Sequence, residues 1–360
     1  MGIPQFDDRV QSVSEGRSQT RADSRLVLIV PLLCALVYPF LLRLIPVCAA
    51  LLHIAKPLSD TSTAVGVIVT LALAGGIMWV SFAQESALAR RTVRSLAQRR
   101  ARILAHLAFA TASLWVGFGN IAGVMHERTA ALVAWPVLWT VLAAVVLLSS
   151  EAPSGESKLS AAGHRRLGTA HGISAIAIVV LFIAPHIGNH LTGIWNGATH
   201  LATMRAVRLI YRNEIIQPAL LTLIGFQILS GTVLARARLH QQSNFFGSLQ
   251  TMTGVYVGVY LLAHMTAVFS ARYAGTDTNW NWLTNGGRGM LPNLAGVSLV
   301  AHYWMGTVAI FAHIGCGVRG VLLQNTVAPG RAARVARGLI GWGIAASSII
   351  LVALLGVHLH

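Results

Sequence analysis

Six histidines in the second half of the chain lie in, or at the ends of, long apolar runs: His171, His186, His190, His264, His302 and His313. Ligating or ionisable groups placed in a membrane span are costly and usually turn to the bundle interior. Neutral imidazole is also a haem ligand. An isolated histidine in such a run is more often a hydrogen-bonded interior residue, so depth is what discriminates. A haem held between helices needs two ligands on different helices at one level. With a rise of ~1.5 Å per residue, His186 lies ~28 Å along the run that starts at Leu167, and His264 lies ~24 Å along the run from Ser248. Both runs are expected to point outward, which puts the pair in one outer layer. His190 is one turn beyond His186 on the same face and is an equal candidate. His313 lies ~27 Å along an inward run from Ala295, near the inner side, and Gln227 lies ~18 Å along another inward run. His302 and His313 are close to three full turns apart and share a face.

The elements that would carry these residues are legible in the composition. Hydrophobic residues make up 55% of 360 positions and charged residues 11%, against roughly a quarter charged in soluble domains. The apolar runs reach the ~20 residues that cross ~30 Å of hydrocarbon as helix. Short alternating strands, the mark of a membrane barrel, are absent. The expected fold is therefore an all-α polytopic membrane bundle of nine spans: Leu26–His53, Ala64–Ser81, Ile103–Met125, Ala131–Ser149, Leu167–His190, Ile215–Ala235, Ser248–Ser270, Ala295–Arg319 and Leu339–Val357.

Charge orients them. With the N-terminus inside, the cytoplasmic segments carry 19 Lys and Arg and the outer segments 7. That bias satisfies the positive-inside rule and removes the nucleic-acid reading that a net charge of +16 invites. The expected location is a bacterial-type inner membrane, with lipid as the first partner. Cys34, Cys48 and Cys316 lie in apolar runs without metal-type spacing. The polar start and the length of the first apolar run argue against a cleavable leader.

Ser149 to Gly163 is rich in Ser, Ala and Gly and reads as a linker. It divides the chain into a cytoplasmic tail at 1–25, four spans at 26–149, a linker at 150–164 and five spans at 165–360. The small residues Gly231, Gly254, Gly306 and Gly317 sit near Gln227, His264 and His313. They would let a macrocycle approach the backbone, and they equally serve helix packing.

From Arg165 to about Arg337 the chain resembles the five-helix cytochrome b subunit of succinate dehydrogenase and fumarate reductase, the dihaem type. The features that carry the resemblance are the Arg165-Arg166-Leu167 entry, Gln227-Ile-Leu-Ser-Gly231, Thr253-Gly254 with His264 ten residues on, and the Gly306, His313, Gly317 series. The resemblance implies an outer haem b on His186 or His190 with His264, and His313 as one ligand of an inner haem. Gln227 stands where the family supplies the other inner ligand, so one haem is expected rather than two, with His171 as the substitute if there are two. It also implies electron transfer between a soluble flavin/iron–sulfur partner and membrane quinone. The chain itself has no flavin fingerprint and no cysteine cluster for iron–sulfur. The alternatives are a haem-free anchor or sensor on the same fold, and then a transporter.

Three further segments allow two readings each. Trp280 and Trp282 suit an interfacial aromatic belt or a lid over an outer pocket. Arg205, Arg208 and Arg212 suit a snorkelling cluster or the pairing of haem propionates. The basic loop Arg90–Arg102 is a topology determinant or an anionic-lipid contact. Glu85 and Glu127 sit at span ends, and no intramembrane carboxylate chain marks a proton route.

Overall fold

The computed structural model describes residues 7–51, 60–91, 95–127, 129–152, 160–286, 289–291 and 296–359, without the side chains of 7–24, 49–51 and 60–62. His53, Lys56, Arg94, Arg128, Lys158, Arg288, His360 and much of the 150–164 linker fall outside this description, as do the side chains of Arg9, Arg17 and Arg21.

The described chain is helical throughout. Its elements are α1 (Asp7–Leu51), α2 (Asp60–Ala89), α3 (Leu96–Phe109), α4 (Thr111–Val124), α5 (Ala130–Leu147), α6 (Ala161–Ile178), a π-helical turn (Val179–Ile183) and α7 (Ala184–Thr192). They continue with α8 (Gly197–Tyr211), α9 (Ile216–Arg238), α10 (Phe245–Tyr273), the single turn α11 (Trp280–Leu283), α12 (Ser298–Gln324) and α13 (Pro329–Leu354). Eight helical stretches among the described residues are long and apolar enough to cross a membrane, and nine if α3 and α4 form one broken span. The all-α polytopic bundle read from the runs is the architecture observed.

Two spans are not straight. The third bends by 70° between α3 and α4. No proline or glycine sits at the break. Thr111 Oγ1 instead donates to the Ala108 carbonyl at 2.6 Å, a side-chain bond that competes with the backbone ladder. In the fifth span Pro185 has no N–H to give and its ring crowds the preceding turn. The chain widens there into the π turn, where the Ala184 N–H reaches back to the Val179 carbonyl.

The four N-terminal spans and the later ones share one core. Tyr38 and Leu42 of α1, Ile77 of α2 and Phe109 of α3 pack with Met252, Tyr256 and Tyr260 of α10 and Met305 of α12. A second cluster forms around Trp135 of α5. Its ring meets Trp115, Phe118 and Trp139 edge-on at 5.4–5.5 Å, and its Nε1 donates to the Ala35 carbonyl.

Glu85, read as a span-end residue, is buried. Arg102 of α3 donates to both its carboxylate oxygens at 2.7 and 2.9 Å and to the Leu239 carbonyl at 2.8 Å. One guanidinium thus joins α2, α3 and the turn after α9. Removing one partner of a buried pair leaves an uncompensated charge, whereas apolar replacement of both is often tolerated. Arg102→Met should therefore cost ~3–5 kcal/mol, and adding Glu85→Leu should restore most of it. Thermal unfolding in detergent, followed by circular dichroism, checks both.

Candidate cofactor site: two imidazole pairs between helix layers

α6 packs chiefly on α9, and only 6% of the most apolar window of the α6–α7 stretch is buried. α10 and α12 form the facing layer, backed by α13, α2 and α4. Histidines reach from both layers toward the space between them, at two levels.

At the level near the α7–α8 end, His186 faces His264 of α10 with ring centroids 6.4 Å apart. Neighbouring rings set both orientations. Phe182 stacks on His186 at 4.8 Å and 19°, and Tyr260 stacks on His264 at 5.7 Å and 13°. The Nδ1 atoms of both histidines are buried without a partner. The two line a cavity of about 220 Å³ whose mouth carries Arg208, Arg212 and Arg272. Arg205 is not part of that lining.

At the other end of the bundle, His171 of α6 faces His313 of α12 with centroids 6.3 Å apart. Hydrogen bonds fix these rings. Ser230 Oγ gives its proton to the Phe226 carbonyl, so it accepts from His171 Nδ1 at 2.8 Å. His313 Nδ1 donates to the Gln250 carbonyl at 2.9 Å. Both rings therefore keep Nε2 as the free lone pair. Holding one ring nitrogen so that the other can ligate is the usual arrangement around metal-binding histidines.

Gln227, expected at an inner ligand position, has another occupation. Its amide nitrogen donates to the His171 carbonyl and to Ser174 Oγ, both at 2.6 Å. It ties α9 to α6 beside the histidine instead of facing His313 itself.

The spacing has a chemical meaning. Metal–imidazole bonds are ~2 Å long, so two rings facing each other across one metal have centroids ~6 Å apart. Among the described residues no three His, Cys, Asp or Glu side chains gather as a metal site. A metal held here needs its remaining donors from elsewhere, and a porphyrin brings four of its own. The glycines fit as well. A Cβ on Gly254 would come within 2.7 Å of His313 Cε1, and one on Gly231 within 3.3 Å of His171 Cε1. At Gly254 a Cβ would displace the ring, and at Gly231 it would press against it.

Sequence reading missed His200. It lies on α8, a helix taken for part of an outer connection, and it is 2% exposed. Its Nε2 is 3.2 Å from Asn189 Nδ2 and its ring 5.2 Å from that of His190. His190, the alternative to His186, thus lies between His186 at 4.7 Å and His200 and lines the same cavity. A local signal existed: Asn196 caps the helix by accepting from the Thr199 N–H, and His200 and Met204 sit four apart on its buried face. His302 is also buried, with its Nδ1 3.1 Å from Ser113 Oγ of α4 and its ring against Tyr260 at 4.7 Å.

The segment between α10 and α12 closes over this end. Trp280 is buried, its ring tilted by 40° against that of His200 at 4.4 Å, and a Cβ on Gly193 or Gly197 would strike its indole. Trp282 also lines the cavity. Arg208 holds the same segment through Asp277 Oδ1 at 2.9 Å and the Thr278 carbonyl. Burial alone would push the Asp277 carboxyl up, but the hydrogen bond from Asn279 and the nearby Arg208 charge outweigh it, leaving the group below its usual range.

No family model, curated protein or solved structure matches the chain.

Gly254→Ala is the sharpest test of the packing at His313. The added methyl has no space unless the ring moves, an overpacking cost of ~1–3 kcal/mol. Thermal unfolding should register it, while Gly258→Ala, where a Cβ meets nothing within 4 Å, should be neutral or stabilising.

Proposed function

We propose that this chain is a membrane b-type cytochrome with two haem sites, one on His186 and His264 and one on His171 and His313, passing electrons between a partner protein and membrane quinone. The carrying observation is the repeated spacing: two imidazole pairs, each bridging facing helices, at 6.4 and 6.3 Å. Haem iron, when bound, supplies a one-electron carrier. The residues of the chain do the rest. His171 and His313 offer Nε2 lone pairs whose direction Ser230 and Gln250 hold fixed. Phe182 and Tyr260 orient the outer pair by stacking. Arg212 and Arg272 add positive charge to the lining of the outer cavity beside the Arg208–Asp277 pair, suited to propionate carboxylates. The stretch from His171 on α6 through the π turn to His186 on α7 puts the two sites ~20 Å apart along the bundle. Two haems replace the single one expected from Gln227, because His171 stands opposite His313. The electron donor and the quinone rest on the family resemblance alone.

A pyridine haemochrome assay on protein expressed with ample haem tests the reading. Two haems per chain are expected in the wild type, and one in His264→Ala and one in His313→Ala. A Soret band missing from the wild type would overturn the proposal in favour of a haem-free anchor. Loss of both haems in either variant, with folding intact, would overturn the independence of the two sites.

A further inference from the structure

A second space, apart from the histidine cavity, belongs to the four N-terminal spans. A groove of about 680 Å³ runs between α1 and α2, with its polar end against the segment after α5. It is amphiphilic along its length. The wall is aliphatic, formed by Val27, Leu28, Val80 and Ala83, with Trp79 at 71% exposure beside them. The polar end is formed by Arg25, Arg91, Gln98 and Glu151. Glu151 is already neutralised, since Arg25 donates to it at 3.0 Å and to the Leu147 carbonyl at 2.9 Å. The Arg91 guanidinium is exposed and has no ion pair among the described residues. The groove therefore ends in one uncompensated cation, at the side where the basic loop is expected to face the cytoplasm.

A cationic pocket between spans on the cytoplasmic side, open to the bilayer and continued by an apolar wall, has the chemistry of a lipid headgroup site. The space is far more than the ~30 Å³ share of a water, and its aliphatic wall disfavours a polar occupant. We propose that this groove binds one anionic phospholipid of the inner leaflet, its phosphate on Arg91 with Gln98 beside it and an acyl chain along Leu28, Val80 and Ala83. The assignment is independent of the haem sites and gives the N-terminal spans a ligand of their own.

Native mass spectrometry of the full chain, delipidated in detergent and titrated with phosphatidylglycerol or phosphatidylcholine of identical chains, tests it. Phosphatidylglycerol is expected to be retained preferentially. Arg91→Ala should weaken retention about fivefold, the equivalent of ~1 kcal/mol per basic residue. Ala83→Trp, which fills the wall but keeps the charge, should weaken it as well. Arg337→Ala, a cation expected on the same side but away from the groove, should leave it unchanged. Equal retention of both lipids would overturn the proposal, as would equal losses in Arg91→Ala and Arg337→Ala. Displacement of the lipid by millimolar inorganic phosphate would overturn it too, by reducing the site to a plain anion contact.

Discussion

An imidazole inside hydrocarbon has to be answered by something, and this bundle is organised around that demand. Hydrocarbon offers no hydrogen bonds, so each ring nitrogen needs a protein partner or a ligand. The second half of the chain carries more such rings than its hydrogen bonds can absorb. At one end, Ser230 and Gln250 take one nitrogen of each ring and leave the other. At the opposite end, stacking fixes the rings and Nδ1 of each has no partner. The stand-off between α6 and the α10–α12 layer follows from the same demand. Helices that closed fully on each other would leave the rings neither space nor a second neighbour.

That stand-off has to be held open by polar contacts, since apolar side chains alone would let the layers close. Gln227 stiffens one side of it by clamping α9 to α6 through a carbonyl and a serine hydroxyl. The pair then behaves as one plate. Pro185 acts on the same side. The π turn it enforces lies between His171 and His186, so it sets the angle at which the upper histidine leaves the plate. Trp280, wedged between Gly193 and Gly197 beneath His200, pins the outer segment over the open end.

Much of this was legible in the sequence, because membrane spans are written in uninterrupted apolar runs. The number of long helices, the matched depth of His186 with His264, and the level of His313 followed from run lengths and rise per residue. What escaped depended on information that a run does not carry. No Pro or Gly announces the bend at Ala110, where the Thr111 hydroxyl bonds back to the Ala108 carbonyl. α8 is too short and too polar to read as a span, and the outer-connection assignment hid His200. Gln227 stands at a level on α9 that matches a carbonyl of α6 as well as it matches His313. Depth along one helix cannot say which neighbour a side chain meets. Glu85 was misplaced for a related reason: α2 extends eight residues beyond Ser81, to Ala89, carrying the carboxylate into the bundle with Arg102 as its partner.

The relation between the four early spans and the five later ones follows from the shared core. α10 carries His264 on one face, and on another it places Met252 and Tyr256, both fully buried, against α1, α2 and α3. α12 does the same, with His302 bonded to Ser113 of α4. If lipid covered those faces, α10 and α12 would have fluid hydrocarbon behind the histidines. With protein there, the backing is close-packed and resists displacement. For the proposed haem sites, a pair of rings set ~6 Å apart serves only if that separation is kept. The unpacked plate of α6 and α9 cannot keep it, since most of its surface meets neither layer. The rigid side must therefore be the α10–α12 layer, backed by α13 and by the spans that precede the linker.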